Sequence, residues 1–151
     1  MNNVLDVAQH ILDLAKKDGV NITPMKLLKI TYIAYGWFSI SGDGRLFADK
    51  IEAWQYGPVI PNLYRNIKKF KDSPITEQIG DASKLEENKQ NWVNKVYELY
   101  RGYNSLQLSS MTHQDNSPWH QVYKSDIRSI EIPDNNIKNY YNNLYEQANR
   151  T

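Results

Sequence analysis

Apolar residues recur along the chain mainly at helical spacing. Val4, Val7, Ala8, Ile11, Leu12 and Ala15 follow an i, i+3, i+4 pattern and predict an amphipathic first helix. Lys16 and Lys17 suit its negative end, and Gly19 is placed to cap it. A second helix opens at Thr23-Pro24, with Thr23 as N-cap and Pro24 where a missing N–H does no harm. From Leu27 to Ile40 it is apolar nearly all round, which places it at the centre of a bundle. Gly36 inside it costs ~1 kcal/mol relative to Ala unless close packing needs the missing side chain.

The texture changes after Gly42-Asp43-Gly44. Residues 51–56 read as a short strand ended by Gly57 and Pro58, with a partner near Ile75 to Ile79 in a small hairpin-like element. Between them, Pro61 to Phe70 reads as a helix with Leu63, Tyr64, Ile67 and Phe70 inward. Ser83 and Glu86 have capping-box spacing at the head of a helix running to about Arg101, where Gly102 ends it. That helix carries Leu85, Trp92, Val93, Val96, Tyr97 and Tyr100 on one face. A short helix follows from Ser105 to about Thr112, and another begins at Ser117-Pro118. After Pro133, Ile137, Tyr140, Tyr141, Leu144, Tyr145 and Ala148 form the stripe of a last helix. The expected fold is mainly α: a single domain over residues 1–151, a bundle of six to seven helices with a small β-hairpin-like insertion.

Composition narrows the function classes. Apolar residues make up 40% of the chain, enough for a core, and the formal net charge of +1 gives no overall pull toward nucleic acid or anionic membrane. The chain has no cysteine, which removes disulfides, thiolate metal sites and cysteine nucleophiles. The start lacks a basic and apolar leader pattern, and the stretch from Ile30 to Ile40 is short of the roughly 20 apolar residues of a membrane span. Cytoplasm is the expected compartment, with no membrane partner. The eleven tyrosines and four tryptophans serve either core and rim or a recognition surface.

No catalytic pattern stands out. His113, Asp115 and His120 match no metal spacing, and a histidine in a turn ordinarily hydrogen-bonds the backbone. His10 falls on the polar flank of the first helix and is expected to be solvated. Nucleophile elbows and phosphate loops are absent, so neither an enzyme nor a cofactor or metal is expected. Arg65, Lys68, Lys69 and Lys71 beside Tyr64 are compatible with nucleic acid but equally with a solvated helix face. Trp54 to Pro61, with two prolines and a glycine, reads either as a rigid recognition loop or as a structural corner.

Several segments taken together resemble a known family. Residues 25–32, Met-Lys-Leu-Leu-Lys-Ile-Thr-Tyr, are similar to its Lys-Leu-x-Lys-Leu-x-Tyr helix, with Ile30 where Leu is commoner. Residues 51–64 are similar to its Ala-Trp-x-Tyr-Gly-Pro-Val-x-Pro-x-Leu-Tyr signature. Leu108, Thr112-His113 and Pro118-Trp119 resemble its Leu…Thr-His…Pro-Trp block, and residues 137–141 also fit. The chain is thereby identified as resembling the Panacea domain, also called SocA-like or GepA-like, of bacteria, prophages and phages.

The resemblance implies an antitoxin that neutralises a bacterial toxin, commonly encoded next door, by direct protein–protein binding. It also allows a proteolytic adaptor that delivers the toxin to an ATP-dependent protease, or a phage anti-defence or regulatory binding protein. A homo-oligomer stays open. Trp54, Tyr56, Tyr64, Arg65 and Lys69 are the expected partner-binding residues. Lys26, Leu27, Gly57, Pro58, Val59, Thr112, His113 and Trp119 are expected to serve the motif structurally.

Overall fold

The computed structural model describes residues 2–150. It contains seven α-helices among the described residues and a three-stranded antiparallel sheet, arranged around one hydrophobic cluster. Helix α1 (Val4–Lys17) starts where the Asn3 side chain accepts from the N–H groups of Leu5 and Asp6, satisfying two of the orphan donors of its first turn. Its apolar stripe of Val4, Val7, Ala8, Ile11 and Ala15 is fully buried, and Gly19 follows with φ +70°.

Helix α2 (Pro24–Phe38) is the axis of the molecule, with most of its side chains buried all the way round. It packs on α1 and on α3 (Pro61–Ile67), α4 (Glu87–Tyr100), α5 (Ser105–His113) and α7 (Asp134–Asn149). Thr23 precedes it in extended conformation, but its hydroxyl lies 3.3 Å from that of Ser105 and does not cap the helix. The helix ends before the expected Ile40, at Phe38, where the Ser39 hydroxyl donates to the Gly36 carbonyl. Gly36 has a packing role: a Cβ there would overlap the edge of the Tyr141 ring, so the glycine lets α7 approach α2.

The sheet departs from expectation. β1 (Glu52–Trp54) pairs antiparallel with β2 (Gly57–Val59), in the register Trp54 to Gly57, and with β3 (Ile130–Glu131) on its other edge. Gly57 and Pro58 therefore belong to the partner strand and do not merely end the first one. The expected partner at Ile75 to Ile79 is instead a strap across α1, because acceptors on and after that helix satisfy its backbone. Ile75 N–H donates to the Ile22 carbonyl at 2.9 Å and Ile79 N–H to Gln9 Oε1 at 2.8 Å.

The capping box also lies elsewhere. The Asp81 carboxylate accepts from both the N–H and the hydroxyl of Ser83, holding it in a 3₁₀ turn, and α4 begins only at Glu87. A reciprocal box does open α5, between Asn104 and Gln107. Ser117 caps α6 (Pro118–Val122) through the His120 N–H. On α7, Ile137 and Tyr141 are buried and Tyr140 and Leu144 half-buried, while Tyr145 and Ala148 face outward.

Candidate recognition surface

The hairpin of β1 and β2 is held from below. Its two-residue turn, Gln55-Tyr56, leads into Gly57 at φ +123°, a conformation that residues with a Cβ rarely adopt. Beneath the glycine a Cβ would come within 2.7 Å of Lys29 Nζ and 2.8 Å of His113 Cε1, so two side chains close on one backbone position. Lys29 is 1% exposed, and its ammonium donates to the Pro58 carbonyl at 3.2 Å. Burial pushes that ammonium down to about 8.

His113 is aligned by its own helix. Its Nδ1 lies 2.8 Å from the Ser109 carbonyl, which can only accept, so Nδ1 carries the proton. Its ring meets that of Trp119 edge-on, with centroids 4.5 Å apart. The Trp119 indole N–H in turn donates to the Trp54 carbonyl at 2.6 Å, tying α6 to β1. Three sequence-distant motif segments thus converge on one hairpin: Lys29 and His113 hold the β2 arm, and Trp119 holds the β1 arm.

Above this base the expected partner-binding residues reach the surface. Tyr56, at the hairpin tip, is 69% exposed. Trp54 is half-buried, its indole N–H donating to Glu52 Oε1 at 2.9 Å. Its ring packs edge-on against Tyr64, with centroids 5.2 Å apart. Tyr64 is 38% exposed and lies outward on α3, not inward as its spacing suggested; Leu63 and Ile67 take the buried positions. Arg65 beside it is exposed and forms no ion pair among the described residues. Lys69, by contrast, pairs with Glu77 at 2.7 Å and lies over the Phe70 ring. On the other flank, a groove of ≈ 520 Å³ runs between Trp54-Gln55 and the segment carrying Tyr123, Ile127 and Arg128.

The motif residues divide by what they touch. Gly57, Pro58, Val59, His113 and Trp119 build the hairpin support, and Thr112 is buried with its hydroxyl bonded to the Ser109 carbonyl. Leu27 is simply core. Lys26 stands apart, donating to the Arg101 carbonyl at 2.6 Å at the end of α4. Lys29 is the second lysine of the motif helix, and its spacing alone assigns it no site role. Its burial is signalled, since a helix apolar all round leaves a lysine no solvated face.

The histidines form no metal cluster: no group of three or more possible ligands occurs among the described residues. His10 is not free in solvent, for its Nε2–H donates to Asn94 Oδ1 at 2.7 Å and links α1 to α4. His120 lies 3.7 Å from Asp115 at the surface.

Comparison with known proteins places the chain in a family. The family described as "Antitoxin SocA-like, Panacea domain" matches residues 27–120, more than half of the chain, a span that runs from just before Lys29 to just past Trp119. The antitoxin SocA of Caulobacter vibrioides (strain NA1000 / CB15N) is 37% identical over 59 residues. That match covers 39% of this chain and 31% of the relative, so the similarity spans about a third of that protein's length. No solved structure matches.

Proposed function

The chain belongs to the SocA-like Panacea-domain antitoxin family, and from that premise we propose that it neutralises a bacterial toxin by binding it directly through the hairpin tip and the adjoining face of α3. The observation that carries the reading is the construction of this surface. Trp54 and Tyr56 are presented on a hairpin clamped on both arms, and Tyr64 packs against Trp54 from α3, with the exposed cation of Arg65 next to it. Aromatic and arginine side chains are the residue types that dominate binding energy, and a preorganised hairpin loses little entropy on docking. A stable interface of standard size buries about 1,600 Å² in total, so flanking residues such as Lys68 and Arg128 would join the contact.

The proposed action is masking, without chemistry and in the cytoplasm. No helix among the described residues is long and apolar enough to cross a membrane. The toxin is sought first as the product of the neighbouring gene.

Co-expression with that product tests the reading. Restored growth together with a joint peak on size exclusion is the expected result. Restored growth with disappearance of the neighbour would point to delivery to a protease. A harmless neighbour that never co-elutes would remove the toxin–antitoxin reading for that pair and favour a phage anti-defence or regulatory role.

A further inference from the structure

The recognition surface is set from inside the bundle. Lys29 is buried on α2, and no carboxylate pairs with it among the described residues. Its one hydrogen bond goes to Pro58, two residues beyond the exposed tip at Tyr56. A buried ammonium costs the fold more than an apolar side chain of the same length would, since desolvation opposes the charge and a single carbonyl offsets it poorly. What it contributes is therefore local. The ammonium and the His113 ring close on Gly57, His113 rests on Trp119, and Trp119 holds the opposite arm through the Trp54 carbonyl. The tip sits between these two clamps.

We propose that Lys29 is the positioning residue of the recognition surface: its buried ammonium clamps the Gly57-Pro58 arm against α2 and so fixes the direction in which Trp54 and Tyr56 face the partner. The surface then responds to the charge of a residue that no partner touches. This rests on the antitoxin reading only for its effect on binding; the clamp is testable in the free protein. The groups facing Lys29 are few. From β2 come the Pro58 carbonyl and the Gly57 backbone, and from α5 the His113 ring, whose Nδ1–H is turned to Ser109. On α2 itself, Lys26 is engaged with Arg101. Desolvation alone lowers the Lys29 ammonium, so its bond to Pro58 loses charge assistance in mildly alkaline solution.

The experiment follows the indole N–H resonances of Trp54 and Trp119, and amide exchange over residues 54–59, from about pH 7 to about pH 10 in the full chain and in Lys29→Met. In the wild type both indole signals are expected to titrate together with a midpoint near 8. In Lys29→Met the titration disappears and hairpin protection falls on the order of tenfold, while the thermal midpoint does not fall. With a toxin in hand, the variant binds on the order of tenfold more weakly, and the wild type weakens over the same pH range.

Indole signals that do not titrate, or a folded Lys29→Met whose exchange and binding match the wild type, would overturn the proposal. If Lys29→Met does not fold, the wild-type titration decides alone. A chain that shows the titration but neutralises no neighbour would sustain the clamp and sink only the antitoxin reading.

Discussion

At Gly57, backbone and packing demand the same residue. Its φ of +123° strains any side chain, and a Cβ would press on Lys29 Nζ at 2.7 Å and the His113 ring at 2.8 Å. Gly57→Ala is expected to cost about 2–4 kcal/mol, combining backbone strain with displacement of a buried cation, as measured by denaturant unfolding. An unchanged midpoint would show that the slot is slack and the clamp loose. The sequence makes part of this visible. Trp54, Tyr56 and Gly57-Pro58 announce a rigid aromatic turn, because few residues besides glycine and proline fix such a path. The rest is less visible: the all-round apolar helix marks Lys29 as buried but not which carbonyl it meets, and Tyr64 occupies an apolar position of its helix while facing out to pack on Trp54.

Elements followed local rules where the relevant partner was local. Val4 to Ala15 and Ser117-Pro118 each mark a helix through contacts within one or two turns, and Pro24 opens α2 although Thr23 does not cap it. The sheet did not, since β1 and β3 lie more than seventy residues apart and β3 is two residues long. Ser83 failed as a capping signal because the nearer Asp81 carboxylate takes its N–H. The strap over α1, expected as a strand near Ile75 to Ile79, shows the same limit. Its Ile79 and Gly80 N–H groups go to Gln9 Oε1 at 2.8 and 3.4 Å, and its Asp81 N–H to the Asp6 carboxylate at 3.0 Å. Gly80 lies directly on the α1 backbone at Leu5. Gln9→Ala leaves two of those donors without an acceptor and is expected to cost about 1–2 kcal/mol. Hydrogen exchange should rise over residues 75–81 while hairpin protection stays put; loosening of both together would contradict independent anchoring.

For the molecule as a whole, the helical bundle and the family resemblance are legible in the sequence, because a central apolar helix and ordered motifs need no knowledge of distant contacts. What a lysine and a set of tyrosines do inside the bundle was not. Their opposing titrations predict a stability profile. Lys29 has a folded value of about 8 against an ordinary 10.5, so the unfolded chain binds the extra proton in between and stability from this group rises over that interval. The buried phenols act in the other direction. Desolvation raises Tyr32, Tyr35 and Tyr141, and burial with the hydrogen bond to Asp18 pushes Tyr97 up to about 12. Their contribution is intact below the ordinary value of 10.0 and is lost as pH climbs through the raised folded values. Denaturant midpoints should therefore rise from pH 8 toward 10 and fall beyond it, and Lys29→Met should remove the rise while keeping the fall. A profile falling steadily from pH 8 would show that Lys29 is not desolvated as the structure has it.

The most direct measurement is growth rescue by co-expression with the neighbouring gene's product, comparing the wild type with Tyr56→Ala/Arg65→Glu at matched soluble levels. Both substitutions fall on exposed side chains, so the double variant should melt within a few degrees of the wild type. Rescue by the wild type and its loss in the variant is the result expected if the hairpin and α3 mask the toxin. Full rescue by a stably folded double variant would place the binding surface elsewhere on the molecule.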